Sequence, residues 1–161
     1  MGVTVSDVQP TAVPVLTFRL DQQEYALPVD EVVEVAALVE LTQVNGAVPE
    51  LLGVANRHGA VLPVLDLRRV LGTPDTGLDT TTLFIVGQYE DQMLGLVVDE
   101  VQQVEFIPPD ASHKSSTSGQ HIRGIISYRQ RMLQIIELAS LADEYLPGSA
   151  LNDWLKVTPD G

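Results

Sequence analysis

The chain has 161 residues, a net charge of −13, 45% apolar residues, 5% aromatic residues and no cysteine. That length suits one domain, or two small ones sharing a core of Val, Leu, Ile and Ala. The charge argues against nucleic acid and anionic membrane surfaces and favours a basic partner, while the lack of Cys removes disulfides, thiolate nucleophiles and thiolate-bound metals. No apolar run reaches the ~18 residues of a membrane-spanning helix. No basic segment followed by an apolar one marks a secretory signal.

Residues 1–14 read as a flexible polar lead, punctuated by Pro10 and Pro14. From Val15, Leu16, Phe18 and Leu20 alternate with Thr17 and Arg19, the period of a strand. Asp21-Gln22-Gln23-Glu24 is a polar turn, and Tyr25, Leu27 and Val29 complete a hairpin. Asp30 to Val33 fits one helical turn with Asp30 as N-cap, and Val33 to Leu41 continues as strand or irregular edge. Leu51 to Ala55 and Ala60 to Leu65 are strands around a four-residue connection, Asn56-Arg57-His58-Gly59, whose Asn and Gly can adopt positive φ. Pro63 places its nitrogen toward an edge or a bulge. Asp66 starts a short helix that Gly72 ends, and residues 72–80 read as a linker. Strands follow at Leu83–Val86, Leu94–Val98, Val101–Ile107, Ile122–Ser127 and Met132–Ile136, with a Ser- and Pro-rich loop over 108–121 and a helix over Glu137–Glu144. Leu151, Trp154 and Leu155 share a helical face after Ser149. That tail, 146–161, is read either as docked on its own barrel or as a partner-binding segment.

The order of elements repeats. Val29-Asp30-Glu31-Val32 recurs as Val98-Asp99-Glu100-Val101 at an offset of 69, with Leu27 over Leu96 and Val35 over Val104. Later, Gly53 lies over Gly124, and Leu62 to Leu67 over Leu133 to Leu138, at an offset of 71. One long period in two copies argues for twin subdomains instead of a solenoid. Five short strands per copy bury a core best by closing into a small barrel. The fold class is therefore mainly β, two packed five-stranded barrels with short helices, about 15–72 and 81–145.

No constellation of catalytic residues emerges, so the chain is not read as an enzyme, and neither cofactor nor metal is expected. His58 sits at a hairpin tip and His113 and His121 in the long loop, all read as solvated, without metal-ligand spacing. Ser115-Ser116-Thr117-Ser118-Gly119 lacks the strand and helix that would flank a nucleophile elbow. The Asp-Glu pairs at 30–31 and 99–100 occupy equivalent places, as caps or solvated residues do.

The run from Leu52-Gly53-Val54-Ala55-Asn56-Arg57-His58-Gly59 through Leu62-Pro63-Val64-Leu65-Asp66-Leu67-Arg68, with Val32-x-Glu34-Val35, Leu94 to Val101 and Ile122-Arg123-Gly124-Ile125, resembles the CheW-domain family over about residues 15–145. The resemblance implies a pair of interlocked five-stranded SH3-like barrels, and whether the halves exchange strands is left open. It implies a stand-alone cytoplasmic adaptor that couples the cytoplasmic tips of methyl-accepting chemoreceptors to the regulatory domain of a CheA-type histidine kinase at membrane-associated arrays. Its partners are proteins, with no nucleic acid and no membrane insertion. By position, Val32, Glu34 and Val35 match an edge segment that meets a partner, Gly53, Asn56 and Gly59 the shaped hairpin beside it, and Val101 a contact in the second barrel. The family usually carries Arg where His58 stands, which leaves Arg57 or a protonated His58 to pair with Glu34. Swimming, twitching or another output remains open, as does a small-ligand-binding β-barrel.

Overall fold

The computed structural model describes residues 11–74, 77–79, 81–115 and 120–146. In chain order it contains β1 (Val13–Leu20), β2 (Gln23–Pro28), a 3-10 turn (Val29–Glu31), β3 (Val32–Ala37), β4 (Leu51–Arg57), β5 (Ala60–Asp66) and α1 (Leu67–Leu71). Then follow β6 (Leu83–Tyr89), β7 (Gln92–Val97), β8 (Glu100–Ile107), β9 (Ser112–Ser115), β10 (Ile122–Tyr128), β11 (Arg131–Ile136) and α2 (Leu138–Tyr145).

These strands form a six-stranded sheet, β8-β1-β2-β11-β10-β9, and a five-stranded sheet, β3-β6-β7-β5-β4. Under the two offsets the second order maps onto the first five positions of the other, and the sixth strand is β9. Equivalent strands pair in equivalent registers: Ile135 with Ala26 in one sheet and Val64 with Gly95 in the other. The tight turns also correspond, with φ of 56° at Asp21 and 57° at Glu90, and 53° at both His58 and Arg129. Each sheet draws on both halves of the chain. β1 and β2 join β8–β11, while β6 and β7 join β3–β5. Residues 15–72 and 81–145 are thus the repeating units of the sequence, not two separate barrels.

Alternation along each strand feeds three cores. Leu16, Phe18 and Leu20 face a central cluster between the sheets with Leu65, Ile85, Leu94, Leu96 and Leu138, where the rings of Phe18 and Tyr25 stack at 6.0 Å. Val15, Ala26, Leu133 and Ile135 fill the interior of the six-stranded sheet, and Leu62, Val64, Phe84, Val86 and Val97 that of the five-stranded one. A buried Arg68 ties the halves together. Its guanidinium donates to both oxygens of Asp66 at 2.9 and 3.0 Å and to Asp99 at 3.3 Å. Asp99 also accepts from the amide of Asp21 at 2.7 Å. Such a buried cation persists because each charge has a partner.

Several local expectations need correction. β1 begins at Val13, inside the segment read as lead. The turn before β3 follows Pro28, no side chain caps it, and Asp30 lies within it. The connection between β4 and β5 has two residues, His58 and Gly59, and these carry the positive φ; Asn56 stays in the strand. Pro63, by contrast, meets its expectation: its β4 partner Val54 turns both backbone groups to Thr42, so the Pro63 nitrogen faces away from β4, on the side where the ladder with β7 begins only at Val64. The Ser-rich loop contains β9, which makes one sheet six-stranded. His121 is buried, with Nδ1 2.8 Å from Ser140 Oγ and Nε2 2.8 Å from Glu144. Beside it, burial pushes the Tyr145 hydroxyl up to about 12. Of the Asp-Glu pairs, Asp99 holds Arg68 and the Asp21 amide, and Glu31 pairs with Arg123 at 3.3 Å. Burial, foremost, raises the Glu31 carboxyl above its ordinary value. The tail helix after Ser149 lies outside the described residues.

Candidate functional site

Glu34 and Arg57 stand on β3 and β4, the two outer strands of the five-stranded sheet. Arg57 Nε donates to Glu34 Oε2. Outer strands of one sheet can touch through their side chains only if the sheet curls back on itself, so this ion pair spans the seam of a barrel. Alternation explains the meeting. Ala36 and Ala55 pack on the interior, and Glu34 and Arg57 lie two residues from them on the same faces, at the rim. The β3–β4 connection closes the seam further. Thr42 and Val54 exchange backbone hydrogen bonds of 2.8 Å in both directions.

Gly53 permits that approach. Its φ is +152°, and a Cβ there would lie 2.6 Å from the Thr42 carbonyl oxygen. Asn56 Oδ1 accepts from the Gly59 amide at 3.0 Å and holds the tip in shape. His58 is exposed at φ 53°, without an ion-pair partner among the described residues. Val35 is 38% exposed, and Val32 and Val101 are half-buried against the central core. The structure therefore gathers Glu34, Val35, Gly53, Asn56, Arg57, His58 and Gly59 at one barrel rim and seam, with Val32 and Val101 half-buried against the central core.

The other barrel is closed by different chemistry. Gln103 and Tyr128 occupy the positions equivalent to Glu34 and Arg57, and the cation is Arg131, on β11. It donates to Glu24 at 2.6 Å and to Glu105 at 2.7 Å. That hydrogen bond holds the Glu105 carboxyl below its ordinary value. Sequence reading missed this cluster, whose members are far apart in the chain. It also missed two exposed apolar residues at matching places, Val61 at 74% and Met132 at 61% exposure. The offset of 71 pairs them and was the available signal.

The model of the CheW-like domain matches residues 14–145. The chain belongs to the CheW-like domain family. A probable chemotaxis protein CheW of Rhizobium etli is 32% identical over 134 residues, covering 80% of this chain and 86% of the relative. Protein PilI of Pseudomonas aeruginosa is 36% identical over 93 residues, covering 58% of this chain and 52% of the relative. Among solved structures, the scaffolding protein TtCheW of Thermoanaerobacter tengcongensis superimposes with a TM-score of 0.72 at 26% identity, covering 78% of this chain and 89% of that one. The two sheets of this CheW-like domain thus have the SH3-like fold of that structure. Among the described residues, no group of His, Asp or Glu could hold a metal ion, and no helix is long and apolar enough to cross a membrane.

Proposed function

We propose that the chain is a non-catalytic signalling adaptor that couples chemoreceptors to a CheA-type histidine kinase. The match of the CheW-like domain over residues 14–145, nearly all of the described chain, carries this reading. On this reading the protein works in the cytoplasm and joins membrane-associated arrays through its partners. The kinase's regulatory domain and the cytoplasmic receptor tip are the two partners. The rim that holds Glu34, Val35, Asn56, Arg57, His58 and Gly59 is the contact surface, shaped by Gly53, with Val32 and Val101 supporting it from the core. Exposed apolar side chains framed by charges suit such a surface, because a few desolvated contacts dominate binding energy.

A pull-down of the purified chain with the regulatory domain of a cognate kinase and with a receptor tip tests the proposal. Both are expected to bind, and failure to retain either would overturn it. The likeness to Protein PilI favours a second reading within the same class, an adaptor for an array with twitching or another output. Loss of twitching with normal swimming in a deletion strain would select it.

A further inference from the structure

The internal duplication exposes a difference between the two barrels. In the five-stranded barrel Phe84 is buried at one end of the interior, where Leu41 and Leu52 also pack. The sequence makes room for that ring. A Cβ on Gly95 would lie 2.7 Å from Phe84, so only glycine fits beside it. At the equivalent positions of the six-stranded barrel stand Val15, Ala26 and Arg123, replacing Phe84, Gly95 and Leu52. A smaller side chain and a cation replace two apolar plugs. The result is an open apolar cavity of about 270 Å³, walled by Val15, Ile126 and Ile135.

Its rim carries the opposite sign to the molecule. The chain has 22 acidic and 9 basic residues, yet Lys114 and Arg123 both border this cavity. Lys114 has no ion-pair partner among the described residues, and Arg123 reaches Glu31 at 3.3 Å with its side chain about half exposed. An apolar cavity with a cationic rim favours an apolar group flanked by carboxylate.

We infer that the open end of the six-stranded barrel is a docking pocket for a partner's peptide segment, which inserts one aromatic or branched aliphatic side chain and sets a carboxylate against Lys114 and Arg123. The pocket lies in the other barrel from the Glu34–Arg57 rim, and the inference stands independently of the adaptor reading. The partner's side chain takes the place that Phe84 fills in the sister barrel.

The full-length chain with ¹³C-labelled isoleucine methyls is titrated with acetyl-Glu-Phe-Asp-amide as probe. The Ile126 and Ile135 methyls are expected to shift. Acetyl-Glu-Ala-Asp-amide, acetyl-Lys-Phe-Lys-amide, and the Lys114→Glu/Arg123→Glu variant are each expected to weaken binding about ten-fold or more, the effect of losing a desolvated anchor or a charge-assisted hydrogen bond. Val15→Phe with Ala26→Gly copies the Phe84 and Gly95 pair and is expected to abolish the shifts while the melting temperature holds. Equal binding of all three peptides, no shift at millimolar probe, or full binding by the charge-reversed variant would overturn the inference. So would tighter binding after removal of residues 1–10, which would make the chain's own start the occupant.

Discussion

At the barrel rim, a single turn decides which cation meets Glu34. The chain reverses over His58 and Gly59, so Arg57 remains in β4 and keeps the alternation that puts it on the face of Ala55. His58, in the left-handed region, is out of the strand. Read from the sequence alone, the connection spans four residues, which removes the period-two argument at position 57 and leaves Arg57 and His58 equivalent. A double-mutant cycle with Glu34→Ala and Arg57→Ala should give a coupling of about 0.5 kcal/mol in urea unfolding, small because the carboxylate is more than a third exposed and screened by solvent. Additive effects in both stability and partner binding would show that the pair does no joint work. Gly53 was legible as a repeated glycine, and the structure supplies the reason, a carbonyl oxygen where a Cβ would be. Gly53→Ala should therefore cost about 2–3 kcal/mol, read as a fall in the urea midpoint, and Gly124→Ala should behave alike, since a Cβ there would meet the Lys114 carbonyl at 2.7 Å.

Between elements, Arg131 does for the six-stranded barrel what Arg57 does for the other, but it joins three strands. It links β11 to β2 through Glu24 and to β8 through Glu105. These residues lie at positions 24, 105 and 131, and each alone reads as an ordinary charged strand residue; only the fold assembles them. Because the hydrogen bond from Arg131 holds the Glu105 carboxyl below its unfolded value, the folded state binds that proton less readily than the unfolded chain. The contribution is therefore fully present above the ordinary carboxylate range, near pH ~4.3, and is lost as pH falls through the lower folded value. Glu31 acts in the opposite sense: its raised carboxyl favours the fold below the ordinary range, and that contribution is lost as pH rises through the folded value. Comparing the wild type with Arg131→Met removes the cause of the Glu105 shift, together with the Glu24 ion pair. The variant should lose about 2–3 kcal/mol at pH 7 and show a flatter decline between pH 5 and 3 in urea titrations. Parallel acid limbs in the two proteins would remove Glu105 from the account.

Over the whole molecule, the periodicity of 69 and 71 residues revealed two copies with matching cores, and the matching registers of the two sheets follow it closely. Periodicity could not reveal which copy each strand pairs with, because β1 can satisfy the same apolar face against β3 or against its equivalent, β8. The structure pairs β1 with β8 and β3 with β6, so neither half holds a complete sheet. Buried Arg68 adds a charged tie across the same division. Fragments 1–79 and 80–161 should each lack native β structure by circular dichroism, and an equimolar mixture should recover it. The intact chain should unfold in one cooperative transition. A folded monomeric half would show that the exchanged ladders are dispensable.

That exchange also sets a timetable for the ribosome. The β1–β2 hairpin leaves the ribosome before its neighbours, and one of them, β8, begins 80 residues after Leu20, at Glu100. At about 5–20 residues per second the nascent hairpin waits roughly 4–16 s with an open edge. Its other neighbour, β11, arrives later still. During that interval Phe18 and Leu20, which end in the central core, have only unfinished chain to cover them. The strand order thus lengthens the time for which an apolar edge stays open during synthesis.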